Sequence, residues 1–176
     1  MEFDGALGKE GAGIGVWIHG PLHHSCEIPF NVRMISYRLA FNYSNNEAEY
    51  EALIAGLKIL KKLGAKKISF YGDSELVIKP VKGEYKAKHP RMRAYRNVVP
   101  DILKTFEEYT LSLIPRTQNV IANSLLTAAN MEKIPIHSNQ KYSIHVKHFP
   151  VVPDNMTFWQ VFLDEKQINN FLQVEG

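Results

Sequence analysis

The segment from Ser44 to Leu63, SNNEAEYEALIAGLKILKKL, carries the clearest structural pattern in the sequence. Ser44, with Glu47 three residues later, has the spacing of a capping box, which predicts a helix that begins at Asn45. Gly64 directly follows and predicts its end. One side of this helix is apolar and the other is charged. The apolar stripe comprises Ala52, Leu53, Leu57 and Leu60, and the opposite side comprises Glu47, Glu51, Lys58 and Lys62.

The segments around this helix predict an α/β fold with a mixed five-stranded sheet flanked by helices. Because only three residues precede Asp4, the first strand is expected to be short. Further strands are predicted at 12–19, 32–41, 67–71 and 110–114, and helices at 74–81, 90–109 and 118–131. Pro80 predicts a stop or kink in the first of these helices, and Pro100 an interruption of the second. This domain is expected to span residues 1–131. A C-terminal extension at 132–176 carries a predicted strand at 144–149 and a short helix at 164–174.

The composition is that of an ordinary globular chain. Of the 176 residues, 45% are hydrophobic and 22% are charged, which excludes a disordered tail protein or a disulfide scaffold. The one cysteine, Cys26, has no partner for an internal disulfide bond, so a reducing compartment is expected: the cytoplasm, with the nucleus as the alternative. No apolar run reaches the roughly 18 residues that predict a membrane span. The net charge of +3 does not by itself indicate a nucleic-acid partner.

Three acidic residues stand where the predicted fold brings side chains together. Asp4 and Asp73 each follow a predicted strand, and ligands of open α/β sheets bind beyond the carboxyl ends of the strands. Glu49 lies on the buried stripe of the long helix, where an unpaired carboxylate is costly. Three converging acids with no cysteine or histidine suit Mg²⁺ or Mn²⁺. The alternative is that Asp4 and Asp73 are turn or cap residues and that Glu49 pairs with an arginine.

Five motifs in one order resemble type 1 ribonuclease H: FDGA at 3–6, GAGIGV at 11–16, SNNEAEYEALIAGL at 44–57, GDSELVI at 72–78 and IPRTQNVIANSLLTAA at 114–129. The resemblance covers residues 3–131. It is nearest to the reverse-transcriptase-associated branch of plant LTR retrotransposons and their domesticated, free-standing relatives. Residues 132–176 resemble the stretch between ribonuclease H and integrase in such elements. Their aromatic cluster of Phe158, Trp159 and Phe162 is expected to pack on the domain.

The resemblance implies a catalytic site built from four carboxylates around two Mg²⁺ or Mn²⁺ ions. It assigns three of these positions to Asp4, Glu49 and Asp73, whereas the fourth position is Asn123. Asparagine lacks the charge, so the resemblance implies either a metal-dependent endoribonuclease of reduced activity or an inert module that still binds duplexes. The histidine that many relatives carry before the last helix is missing. Arg116 either takes its place or is a surface arginine.

A basic stretch and the family resemblance together suggest a duplex containing RNA as the partner. Seven basic residues, namely Lys79, Lys82, Lys86, Lys88, Arg91, Arg93 and Arg96, are opposed only by Glu84. They form either a phosphate-binding surface or a solvated helix face. The resemblance implies substrate contacts from Gly5, Ala6, Ser44 and Asn45, and we add Lys82, Lys86, Lys88, Arg91 and Arg116 to that set.

The sequence also bears on the choice of duplex and on the biological role. The loop after Asp4 lacks the small polar residues that favour a DNA partner strand in the family, so RNA/DNA hybrid and double-stranded RNA are both expected substrates. The biological role would be antiviral defence or RNA turnover. The histidines at 19, 23 and 24 are expected to be solvated loop residues rather than metal ligands.

Overall fold

One mixed sheet organises the part of the chain that the structure describes. The structure is a computed structural model, and it describes residues 1–8, 11–20, 34–40, 43–84, 86–87, 89–130, 144–148 and 150–152. The strands are β1 (Glu2–Gly8), β2 (Gly11–Trp17), β3 (Met34–Leu39), β4 (Lys67–Gly72), β5 (Glu108–Leu113) and β6 (Ile144–Lys147). Their order across the sheet is β5-β4-β1-β2-β3-β6. Strands β1, β2 and β3 form an antiparallel meander, and the other pairings are parallel.

Among the described residues, four helices cover the sheet. They are α1 (Asn45–Lys62), α2 (Glu75–Lys82), α3 (Pro90–Leu103) and α4 (Val120–Asn130), and a 3-10 turn at Arg116–Gln118 precedes the last. Helix α1 packs on β1 and β2 with α2 and α3 beside it, while α4 packs on β1, β2 and β3. The predicted α/β class is confirmed.

The capping box predicted for α1 is present. The Ser44 hydroxyl accepts a hydrogen bond from the Glu47 backbone N–H, and the Glu47 carboxylate accepts one from the Ser44 backbone N–H. Fully buried Leu53 and Leu57 join Phe3, Ile14 and Val16 in the core cluster. The cap and the apolar stripe thus fix where α1 begins and how it lies on the sheet.

Several boundaries differ from the prediction. Strand β1 has seven residues, so Asp4 lies within the strand instead of at its end. Helix α2 continues past Pro80 to Lys82 and ends at Gly83, whose φ of 79° suits glycine. Pro80 removes only the bond to the carbonyl of Leu76, an exposed residue where water can replace it. Helix α3 ends at Leu103, and β5 begins at Glu108, before the predicted Thr110.

The strand predicted at 144–149 in the C-terminal extension is β6, and it joins the sheet, which therefore has six strands instead of the predicted five. Strand β6 pairs in parallel with β3, with His145 opposite Tyr37. The residues after it also reach the core, because the Val152 side chain is buried. The predicted helix at 164–174 and the cluster of Phe158, Trp159 and Phe162 lie outside the described residues.

Glu51, which the spacing placed on the charged side of α1, is buried beneath α3 and the C-terminal extension. The side chain is fully buried at 0% exposure. One carboxylate oxygen accepts hydrogen bonds from the Tyr95 hydroxyl (2.8 Å) and the Val151 backbone N–H (2.6 Å). The other oxygen pairs with Lys147 Nζ at 2.6 Å. A buried carboxylate with three donors is satisfied, and it joins α1 to β6.

No helix among the described residues has the length and apolar character needed to cross a membrane.

Candidate active site

Strand register brings Asp4 and Asp73 side by side. Strands β1 and β4 are parallel, with Glu2 opposite Tyr71. Asp4 and Asp73 each come two residues after that pair, and two residues along a strand return a side chain to the same face. Asp4 is buried at 3% exposure, whereas Asp73, just past the end of β4, is partly exposed.

A close approach of α1 to β1 adds Glu49 to these two aspartates. A Cβ atom on Gly5 would lie 2.2 Å from the Ala48 carbonyl oxygen, so only glycine allows this contact. Glu49 is the next residue of α1, and it is buried beside Asp4. One ligand oxygen from each of Asp4, Glu49 and Asp73 lies within 4.8 Å of the others. The three acids predicted to converge therefore do so.

A second close approach brings α4 to the same place from the other face of the sheet. Gly15 of β2 lies opposite Asp4, and a Cβ atom on Gly15 would lie 2.1 Å from the Ala122 carbonyl oxygen. Asn123 follows Ala122, and its side-chain Nδ2 donates a hydrogen bond of 3.0 Å to Asp4 Oδ2. The position of the expected fourth acid is thus beside the cluster, but it carries an amide.

Burial and neighbouring charge shift the titration of Glu49 and Asp73. Burial, followed by a hydrogen bond with Asp4 and the charges of Asp4 and Asp73, raises the pKa of Glu49 well above its ordinary value. Burial and the charge of Asp4 also raise the pKa of Asp73. A hydrogen bond from Asn119 and the charge of Arg116 lower this pKa and so offset part of the rise. Protonation therefore relieves repulsion at this site when no cation is bound.

The residues fit a hard divalent cation. Carboxylate oxygens are the ligands that Mg²⁺ and Mn²⁺ prefer. Glu49 Oε2 is buried and has no hydrogen-bond partner among the described residues, so it has a free acceptor. A bound divalent cation would satisfy that oxygen and offset most of the negative charge of the three carboxylates.

Asn119 belongs to the site, although the sequence analysis did not single it out. It is fully buried just before α4, and its Nδ2 donates to the Phe3 carbonyl at 2.9 Å and to Asp73 Oδ2 at 3.4 Å. The motif that carries Asn123 includes it, four residues earlier. That spacing predicts only that Asn119 and Asn123 lie at the same end of α4. The contact of Asn119 with Asp73 depends on how the start of α4 lies against the end of β4.

The residues expected to contact substrate near Asp4 lie at one end of the sheet. Ala6 is partly exposed, and Ser44 and Asn45 are exposed at the start of α1. Asn45 Oδ1 accepts a hydrogen bond of 2.8 Å from the Leu7 backbone N–H, which joins the end of β1 to α1. At Gly5 the close packing of α1 requires a glycine, whether or not this residue contacts substrate.

The expected basic residues differ in their surroundings. Lys82, Lys86 and Arg116 are exposed, and the charge of Arg116 acts on Asp73, which places it near the acids. Lys88 lies outside the described residues. Arg91 has a different role from the one expected, because its guanidinium pairs with Glu47 and donates to the Val152 carbonyl. We therefore remove Arg91 from the phosphate-binding set.

The histidine predictions are tested only in part. His19 stacks on Trp17, with ring centroids 3.8 Å apart, and its Nε2 lies 3.8 Å from Glu2 Oε1. Positions 23 and 24 lie outside the described residues. His19 is not among the residues that form the acidic cluster.

The sheet order, the flanking helices and the three acids define a ribonuclease H-like domain. The chain belongs to the reverse transcriptase-like family, whose profile matches residues 31–129. That match excludes Asp4, so the position of Asp4 rests on the geometry above. The branch of the family to which the motifs point stays a prediction.

Sequence and structure relatives agree with this assignment. The chain is 35% identical over 86 residues to ribonuclease HI of Halobacterium salinarum, covering 49% of this chain and 43% of that protein. It spans less than half the length of the curated relatives that it matches first. The N-terminal ribonuclease H domain of Rv2228c from Mycobacterium tuberculosis superposes with a TM-score of 0.58 at 31% identity, covering 73% of this chain and 92% of that one. LC11-RNase H1, solved in complex with RNA/DNA hybrid, superposes with a TM-score of 0.61 at 28% identity, covering 73% of this chain and 94% of that one.

Proposed function

We propose that this protein is a metal-dependent endoribonuclease that cleaves the RNA strand of a duplex. The observation that carries the proposal is the convergence of Asp4, Glu49 and Asp73 within 4.8 Å, around a buried Glu49 oxygen without a partner in the described residues. The relative solved with RNA/DNA hybrid supports the substrate class. The ions would be Mg²⁺ or Mn²⁺, two in number as the family resemblance implies.

The carboxylates would hold the ions, and other residues would hold the duplex. Bound divalent ions supply activation of water and stabilisation of the leaving 3′ oxygen. Asp4 is fixed within a strand and Glu49 within a helix, so their oxygens are positioned before substrate arrives. Exposed Lys82, Lys86 and Arg116 would contact phosphates, and Lys88 is proposed with them from the sequence. Ala6, Ser44 and Asn45 would contact the duplex near the acids.

Asn123 favours a second candidate function, an inert or weakened duplex-binding module. Its amide donates to Asp4 Oδ2, and an amide adds no negative charge to the site. Three carboxylates attract a divalent cation less strongly than four, so more metal would be needed for cleavage. The two candidates share the binding surface and differ in turnover.

One experiment separates these candidates. Purified protein is incubated with Mg²⁺ or Mn²⁺ and matched RNA/DNA, RNA/RNA and single-stranded RNA substrates labelled at the 5′ end of the RNA. Cleavage within duplexes, leaving a 3′ hydroxyl, supports the endoribonuclease. Salt-sensitive binding without cleavage, even at high Mn²⁺, would leave only the binding module. Cleavage that continues in excess chelator would contradict the metal-dependent mechanism.

The biological setting is proposed from the sequence alone. The motifs suggest a domesticated derivative of a plant LTR retrotransposon. The single cysteine supports a reducing compartment, the cytoplasm or the nucleus, as the proposed location. A duplex-specific ribonuclease there would act in antiviral defence or RNA turnover.

A further inference from the structure

Asn119 is positioned to hold the two aspartates of the acidic cluster together. It lies between the 3-10 turn and α4, and its backbone carbonyl accepts the hydrogen bond of the Asn123 N–H at 3.1 Å. The side chain does not cap the helix. It turns into the sheet instead and contacts the backbone of Phe3, the neighbour of Asp4, and the carboxylate of Asp73.

The chemistry of both contacts requires an amide N–H₂ group. A backbone carbonyl and a carboxylate can only accept, so the residue between them has to donate twice, as the nitrogen of asparagine does. An aspartate there would donate to neither and would add a charge beside Asp73. A hydroxyl is too short to replace both bonds, and an apolar side chain would make none.

Asn119 is held here at a cost in stability. The side chain is fully buried, and its Oδ1 has no hydrogen-bond partner among the described residues. A buried acceptor without a partner lowers the free energy of unfolding. Packing alone would favour an apolar residue at this position, so the two donated bonds account for the amide.

We propose that Asn119 is a positioning residue for the metal site, which fixes the separation of Asp4 and Asp73 and thereby sets the affinity of the site for divalent cations. The inference rests on the proposed function, because it assigns a role within the same site. Asn119 acts through Asp73 and the β1 backbone and does not itself contact the cation. Its loss removes none of the three carboxylates but lets Asp73 move away from Asp4.

The test measures Mn²⁺ binding directly, by electron paramagnetic resonance or calorimetry, without substrate. The Asn119→Ala variant is expected to raise the Kd for Mn²⁺ about tenfold or more, as removal of groups that orient metal ligands does. Asn130→Ala is the matched control. Its Nδ2 also donates from α4 to a β1 carbonyl, that of Ala6 at 3.2 Å, away from the acids. This control is expected to keep the Kd within about twofold of wild type.

Each outcome decides the inference. Circular dichroism sets a temperature at which every variant is folded, and Asn119→Ser carries the same expectation should the alanine variant fail to fold. A Kd within about twofold of wild type in the folded Asn119 variant would overturn the positioning role and leave the proposed function intact. An equal loss in Asn130→Ala would overturn it too, because the effect would then be general. Both proposals would be overturned if the wild-type protein bound no Mn²⁺, or if Asp73→Asn did not remove its Mn²⁺ binding.

Discussion

Replacing Lys147 with methionine should destabilise the whole domain, although Lys147 lies in the C-terminal extension. Its Nζ pairs at 2.6 Å with a Glu51 carboxylate that has no exposed surface. Removing one partner of a buried ion pair costs about 3–5 kcal/mol, since the other charge stays buried. The Lys147 side chain keeps 25% of its exposure, which places the expected loss near the lower value, about 3 kcal/mol. For a chain of this size that is a fall in Tm of about 6–12 °C.

Urea denaturation followed by circular dichroism measures this loss. The matched control is Lys104→Met, whose partner Asp101 and whose own side chain are both largely exposed, so the expected change is at most about 0.5 kcal/mol. Combining Lys147→Met with Glu51→Gln should recover part of the loss, because the buried charge is then removed as well. A loss below about 1 kcal/mol in Lys147→Met alone would refute the reasoning that β6 is fastened to α1 through this pair.

Three further predictions concern the acids and the basic surface. Asn123→Asp should tighten Mn²⁺ binding, because it adds a negative charge, and should lower the free energy of unfolding of the metal-free protein by about 1 kcal/mol, because it removes the hydrogen bond to Asp4. Calorimetry measures the Kd and urea denaturation measures the stability. An unchanged Kd would contradict the prediction. The raised pKa of Glu49 means that its protonated form stabilises the metal-free fold. That stability is complete below the unfolded value of 4.5 and is lost as pH rises through the folded pKa, so Glu49→Gln should flatten the fall in stability with pH. Lys82→Ala and Lys86→Ala should each weaken duplex binding and reduce the salt slope by about one, measured by fluorescence anisotropy at several salt concentrations; an unchanged slope would remove these lysines from the surface.

Local patterns in the sequence predict part of this molecule well. The capping box and apolar stripe of α1 depend on residues within one helix, so spacing alone locates them. The approach of Glu49 and Asp73 was also predictable, because a helix stripe and a strand end each specify a direction. Asp4 lies within β1, and its place beside Asp73 depends on the register of β1 with β4. The length of β1 was not, since its pairing with β2 involves glycines that give a weak strand pattern.

Long-range contacts account for what the sequence did not predict. Glu51 belongs by spacing to the charged side of α1, but Tyr95, 44 residues later, and Val151, 100 residues later, both donate hydrogen bonds to its buried carboxylate. Arg91 belongs by composition to a basic stretch, but Glu47, 44 residues earlier, binds it. Asn119 contacts Asp73 across 46 residues. In each case the contacting residue is distant in the sequence, so local spacing does not predict the contact.

The most direct test of the account compares the wild-type protein with Asp73→Asn on an RNA/DNA hybrid and on double-stranded RNA in Mn²⁺. Asp101→Asn serves as the control, since Asp101 is an exposed acid paired with Lys104 and outside the cluster. The account predicts that wild type and Asp101→Asn cleave the RNA strand of at least one duplex and that Asp73→Asn, still folded and still binding duplex, does not. Equal cleavage by Asp73→Asn and wild type would contradict the assignment of this acidic cluster as the active site.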